Sequence, residues 1–206
     1  ERGSADLLRK DLGKTFEVDN LSAKPYPCCM CTHGAITGVL DLVKEHNIRP
    51  EDVKKVEITT SRYVNGLIGS PFEIRDNPQV DAQFSGPYTV AASIIRRRFG
   101  IGEIQEESIR DPQILALAKE VVCTVDDSIK TYLTPVTVRI DLKTGGSFSK
   151  KVEVLKGNPA NPMTEEEDIE KFNECVRFGV KKMSDRRRDK LVQLIIRLET
   201  LRDVRE

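Results

Sequence analysis

The 206-residue sequence has no excess of charge: 33 Lys and Arg stand against 33 Asp and Glu, for a formal net charge of zero. A balanced total gives no general pull toward nucleic acid or an anionic membrane, so a charged ligand must be met by a local group of side chains. No apolar run approaches the roughly 18 residues of a membrane helix, and the opening lacks the layout of a signal peptide. The expectation is a soluble, cytoplasmic protein with no membrane and no nucleic-acid partner. No internal repeat, low-complexity tract, P-loop or dinucleotide fingerprint is present, which disfavours a nucleotide-binding fold. Histidine is scarce, at two residues, and no Cys or His pair follows the first cysteine cluster at zinc-finger spacing. The five cysteines are an odd number, which suits reduced thiols better than a disulfide framework.

What is present is concentrated near the start. Lys24, Pro25, Tyr26, Pro27, Cys28, Cys29, Met30, Cys31, Thr32 and His33 bring a cation, a phenol, thiols and an imidazole into one short stretch. Pro25 and Pro27 fix their own φ and push Lys24 and Tyr26 toward extended conformations, so the segment is expected to be a stiff lead into a helix. Thr32 is the expected N-cap. His33 then falls in the first turn, beside unsatisfied backbone N–H groups and the positive end of the helix dipole, a place suited to an anion. The same terminus would depress the pKa of a nearby thiol. Zinc on Cys28, Cys29, Cys31 and His33 is disfavoured, because spacings this short cannot wrap tetrahedrally around one ion. A Cys nucleophile with His33 as base lacks an evident orienting Asp or Asn. Cys123 and Cys175 read as small packing residues. For Lys24, Tyr26 and His33, an ordinary surface, core or helix-start role stands even with a functional one.

Along the chain, Ala35, Ile36, Val39, Leu40, Leu42 and Val43 recur at helical spacing up to His46, which reads as a partner for the C-terminal end of the dipole. Val56, Ile58 and Thr60 alternate with Glu57 and Thr59 in a half-buried strand. Residues 61–80, which include Gly66, Gly69, Pro71 and Pro78, read as a long loop. A buried helix follows, regular from about Pro87 and closed by Arg96, Arg97 and Arg98, a run read as a solvated terminus rather than an anion site. Short helices are expected over 106–110 and from Asp111 and Pro112, then a strand over 121–125. Val136, Val138 and Ile140, the turn at Gly145 and Gly146, and Phe148, Val152 and Val154 make a hairpin. Thr164 with Glu167 forms a capping box for a helix to about Phe178, and Ser184 caps a last one. The expected fold class is α+β: a small, about four-stranded, largely antiparallel sheet covered by helices, with two C-terminal helices over 164–206. Residues 5–12, ending at Gly13, read as the tail of a helix begun earlier. With Glu1 as first residue, a piece of a longer protein is expected.

Four ordered motifs carry a resemblance: K-P-Y-P-C-C-x-x-T-H running into a helix, D-A-Q-F-S-G-P-Y-T-V-A, the D-P before a leucine-bearing helix, and K-G-N-P-x-x-P-M-T ahead of E-x-x-x-K-F. Together they resemble the C-terminal domain of the MmgE/PrpD family over about residues 8–178, so residues 1–206 are read as one such domain, a lid. The family includes 2-methylcitrate dehydratase, cis-aconitate decarboxylase and iminodisuccinate epimerase. Its members join a large helical domain to a smaller α+β lid, and the active site lies in the cleft between them, without a metal or other cofactor.

The resemblance implies that Lys24 and the segment from Cys29 to His33 face that cleft and that Tyr88 reaches it from the F-S-G-P-Y helix start. Lys24, His33 and Tyr88 are the implied catalytic groups, and Tyr26, Cys29, Thr32 and Ser85 the implied substrate-binding ones. In such a site, cations and helix N-termini hold a polycarboxylate while a base removes a proton α to a carboxylate. The decarboxylase branch tends to have His where this chain has Cys29, which places dehydration or epimerisation ahead of decarboxylation. The implied activity is that of a 2-methylcitrate dehydratase-like lyase, completed by a helical domain or subunit, with a homodimer expected. The alternative is a non-catalytic binding or regulatory module that keeps the lid fold and pairs with a separate helical subunit.

Overall fold

The computed structural model describes residues 4, 6, 9–203 and 205; of the helix tail expected over 5–12, residues 5, 7 and 8 lie outside them, Asp6 and Arg9 are helical, and 10–12 form a turn. Four strands form one sheet: β1 (Val53–Thr60), β2 (Val121–Val125), β3 (Val136–Leu142) and β4 (Ser147–Val152), in the order β2-β1-β3-β4. β1 runs antiparallel to β3 and β3 antiparallel to β4, whereas β1 and β2 pair in parallel, Val56 opposite Val121. The sheet is therefore mixed and mostly antiparallel. Alternation decides which face is dry: Val56, Ile58, Val136, Val138 and Ile140 are buried, while Arg139 between them is exposed.

Helices α1 (Met30–His46) and α4 (Gly86–Arg96) cover that face side by side, α1 across β3 and β4, α4 across β2. α1 sits low on β3 because of Gly34. A Cβ there would lie 2.8 Å from a methyl of Val136, inside van der Waals contact. Ala35, Ile36, Val39 and Val43 of α1 join Tyr88, Val90, Ala91 and Ile94 of α4 in one apolar cluster with the inner strand residues.

Two helices stand where the sequence reads as loop. Ser61 Oγ accepts from the Val64 N–H and caps α2 (Arg62–Ile68); Asn77 accepts from the Val80 N–H and caps α3 (Pro78–Gln83), which starts on its proline. Asp81 belongs to α3, where its carboxylate holds Arg75 at 2.8 Å. α4 begins after Ser85, whose Oγ accepts from the Tyr88 N–H at 3.1 Å. Next come α5 (Glu106–Ile109) and α6 (Pro112–Ala118), the latter capped by Asp111. α7 (Glu165–Phe178) carries the expected capping box of Thr164 and Glu167. Ser184 stands at the N-cap of α8 (Asp185–Ile196) without a side-chain bond to the helix. No residue of α7 or α8 is fully buried, and Phe178, Ile195 and Ile196 stay at least 40% exposed.

The arginine run is neither loose nor a free anion site. Arg96 holds Asp111 at 2.6 Å, and Arg98 holds the buried Glu103 at 3.1 Å. Arg97 donates to the carbonyls of Val43 and Ile48 and to Asn47, closing the C-terminal end of α1. His46 stands in the last turn of α1, as expected, and its ring stacks on Phe148, with centroids 3.8 Å apart. Among the described residues no helix is long and apolar enough to cross a membrane.

Candidate functional site

The stiff segment ahead of α1 is fixed along its backbone by residues far away in sequence. Ala23 N–H donates to the Gly157 carbonyl at 2.9 Å. Gly157 has a φ of +84°, and a Cβ there would lie 1.9 Å from the Ala23 oxygen, so the glycine in K-G-N-P is required for that contact. Lys171, the lysine of E-x-x-x-K-F, donates from Nζ to the Lys24 carbonyl at 2.5 Å. Gln83, from D-A-Q-F, donates to the Pro27 carbonyl at 2.7 Å and accepts the Cys29 N–H on its own carbonyl at 3.0 Å. Three of the four motifs thus close on one backbone. The D-P motif acts elsewhere, capping α6 and pairing with Arg96.

α1 begins a turn earlier than Thr32 predicts: Cys29 is the N-cap, and Thr32 lies inside the helix. Thr32 Oγ1 donates to the Cys29 carbonyl at 2.8 Å and lies 3.0 Å from Cys28 Sγ. A hydroxyl has one proton, so Cys28 S–H is the donor in that second bond. Burial pushes the Cys28 thiol up to about 12. Cys31 enters a separate apolar cluster with Val64 and Ile68. The thiols are thereby split between two clusters, and among the described residues no three His, Cys, Asp or Glu gather closely enough to hold a metal ion.

His33 is fully buried, and neither ring nitrogen has a partner in good hydrogen-bond geometry, although the Cys28 and Tyr26 carbonyls lie near enough to favour its protonated form and so oppose the effect of burial. Burial lowers its pKa to about 4, so the imidazole is neutral at pH 7 and does not receive an anion. The edge of Tyr26 meets it, with ring centroids 5.2 Å apart. The Tyr26 hydroxyl pairs with Thr37 at 3.2 Å, and burial raises its pKa to about 12. Lys24 is exposed. Its ammonium donates to the Cys28 carbonyl at 3.1 Å and keeps N–H donors to spare.

These residues open onto a cavity of about 410 Å³ between the segment, the end of α3 and α7. Lys24, Tyr26, Cys28 and Cys29 line one side; Lys171, Glu174 and Cys175 line the other. Cys175, expected to pack, is exposed there. Cys29 is half-buried. Its pKa falls to about 6 chiefly because the Cys31 thiol faces it, with the Cys31 backbone N–H and Lys24 adding to the effect and burial opposing it.

Of the seven residues singled out from sequence, Lys24, Tyr26 and Cys29 meet on this cavity, and Thr32 and His33 lie in the first turns of α1 beneath the segment. Ser85 borders a different cavity. Tyr88 is fully buried in α4, donates to the Glu103 carbonyl at 2.5 Å and packs on Phe72, away from Lys24. Its hydroxyl ties α4 to the turn at Glu103, and the cap at Ser85 sets the start of the helix. Gln83 and Lys171, which hold the segment's backbone, carry no local sign of that role beyond their places in D-A-Q-F and E-x-x-x-K-F.

The L-aspartate dehydrogenase of Methanocella arvoryzae is 31% identical to this chain over 166 residues, which are 77% of this chain and 56% of that one. The chain thus spans little more than half the length of that curated relative. The model of the MmgE/PrpD C-terminal domain matches residues 26–196, from Tyr26 of the pinned segment to the end of α8. By that match the chain belongs to the MmgE/PrpD family, as its C-terminal domain.

Proposed function

We propose that this domain forms one wall of a cleft that binds a di- or tricarboxylic acid, in a lyase of the 2-methylcitrate dehydratase kind that removes a proton α to a carboxylate with loss of water. The observation that carries the reading is Lys24: an exposed ammonium, tied by one bond to the Cys28 carbonyl, on a backbone fixed by Gln83, Gly157 and Lys171. A cation on a fixed support loses little freedom when it meets a carboxylate, and it offsets the charge that develops as the proton leaves. Lys171 adds a second cation to the same cavity. The L-aspartate dehydrogenase is named for a dicarboxylic amino acid, which agrees with the substrate class and leaves the reaction open between family members, epimerisation included.

In this reading Tyr26 and Cys29 contact the substrate, and Thr32, His33, Ser85 and Tyr88 hold the elements that present them. The second wall is a helical domain or subunit. Phe178, Ile195 and Ile196 give it apolar surface to cover, and assembly as a homodimer is proposed with it. The test uses the complete protein on a panel of 2-methylcitrate, citrate, cis-aconitate and related acids. Lys24→Ala is expected to lower kcat/KM by roughly 10- to 100-fold, the value of a charge-assisted bond, with little change in unfolding temperature. Unchanged kinetics would refute the assignment.

A further inference from the structure

We infer that Lys171 receives the second carboxylate of the acid whose first is held by Lys24, and that it makes the cleft selective for acids with two carboxylates over acids with one. The inference deepens the lyase reading and rests on it.

α7 is rich in acidic residues, and an ion pair with a neighbour one turn away is the usual fate of a helical lysine. Lys171 escapes it. Glu167, one turn before, is taken by Lys156 at 2.7 Å and by the Thr164 N–H of the capping box. Glu174, one turn after, packs its carboxylate against Gly100 and accepts from the Gly102 N–H at 3.4 Å. Among the described residues the lysines in ion pairs are Lys150, Lys151 and Lys156, so neither Lys24 nor Lys171 has a carboxylate partner.

Both are moored to backbone carbonyls instead. Lys24 Nζ donates to Cys28, and Lys171 Nζ donates to Lys24, which ties the two ammonium groups to one stretch of the pinned segment. Those carbonyls are four residues apart, a span of at most about 14 Å at full extension. The bond from Cys28 N–H to the Tyr26 carbonyl shortens it. Both lysines line the same cavity of about 410 Å³. Their charges also reach the buried His33 and add to the effect of burial in lowering its pKa, so the two cations converge over the start of α1.

An ammonium has three N–H donors, and one bond to a carbonyl leaves two. Two such groups at a fixed spacing can each take one end of a small diacid through charge-assisted bonds. Like charges on one wall also repel each other, and a dianion offsets both of them where a monoanion offsets one. Lys24 alone would hold either kind of acid. Lys171 is thus the specificity-determining residue.

The test uses the complete protein and three acids with no hydroxyl to lose: glutarate; pentanoate, which lacks only the second carboxylate of glutarate; and tricarballylate, which is citrate without its hydroxyl. Calorimetric titration at one low ionic strength gives the affinities. Wild type is expected to bind glutarate and tricarballylate roughly 10- to 100-fold more tightly than pentanoate, the value of a charge-assisted bond. Lys171→Met is expected to abolish that preference with pentanoate binding unchanged, and Lys171→Arg to keep it. Loss of support for Lys24 alone would weaken all three acids alike, so the ratio between acids separates recognition from support. Lys156→Met, outside this cavity, frees Glu167 to pair with Lys171 and is expected to lower the preference; it carries the test if Lys171→Met does not fold. A preference that survives in folded Lys171→Met, or in Lys156→Met where Lys171→Met is unfolded, overturns the role of Lys171. Equal wild-type affinities for glutarate and pentanoate do the same. Turnover on the acid panel that falls in Lys24→Ala then leaves the lyase reading standing. No binding of the three acids together with no turnover overturns both.

Discussion

Replacing Gly157 by alanine tests whether the pinned segment is held as described. The substitution places a methyl 1.9 Å from the Ala23 oxygen at a backbone φ of +84°, so the chain must move or the side chain cannot fit. The left-handed conformation costs an L-residue about 1–2 kcal/mol. Breaking the Ala23 N–H bond to the Gly157 carbonyl adds about 1 kcal/mol. A total of about 2–3 kcal/mol lowers the unfolding temperature of a domain of this size by roughly 4–12 °C. Gly146→Ala is the control, because a Cβ there meets nothing within 4 Å. Thermal unfolding of both variants gives the magnitude, and amide exchange at Ala23 gives the place. In Gly157→Ala the Ala23 amide should exchange faster than in wild type, and under the proposed function kcat/KM of the complete protein should fall as Lys24 loses its fixed support. Wild-type unfolding together with a protected Ala23 amide would refute the reasoning, since the clamp would then not depend on the glycine.

His33 ties stability to pH. Its folded pKa, about 4, lies below the unfolded 6.5, so the unfolded state binds the proton more readily. The stability from keeping it neutral is complete above pH 6.5 and is lost as pH falls toward 4, about 3 kcal/mol in all; urea midpoints against pH should show this slope, and His33→Leu should flatten it. Tyr88→Phe leaves the Glu103 carbonyl unpaired in the core and should cost about 1–3 kcal/mol in thermal or urea unfolding with kcat/KM intact. Selective loss of turnover in a stably folded Tyr88→Phe would return that hydroxyl to the chemistry.

Much of the fold is legible in local pattern. The alternation of Val136, Val138 and Ile140, the capping box at Thr164 and Glu167, and the helical spacing through Val43 each mark an element that the structure contains. What local pattern misses is of two kinds. α2 and α3 are too short to show a period, and each depends on a single polar cap, Ser61 or Asn77, among loop-like glycines and prolines. The parallel pairing of β1 with β2 joins residues as far apart as Val56 and Val121, and nothing in either strand specifies the other. The site divides the same way. Lys24, Tyr26 and Cys29 share the short run that drew attention to them, and the cavity collects them. The position of His33 in the first turn of α1 is legible in the sequence, but whether such a residue meets water or core depends on which face the neighbouring elements cover, here Tyr26 and the main cluster. The clamps from Gln83 and Lys171 are long-range contacts, visible only as motifs without a stated reason.

Those clamps also set an order of events during synthesis. Residues 24–33 leave the ribosome before the groups that hold them: Lys171 lies 147 residues after the Lys24 carbonyl it holds, and Gln83 lies 56 after Pro27. Translation delivers the cysteines and Lys24 long before the groups that fix them. Contacts of such separation form late, after the cost of closing a long loop has been met. During that interval the nascent chain carries thiols and a lysine on an unclamped segment. The geometry that would recognise a carboxylate is thus among the last parts of the domain to exist.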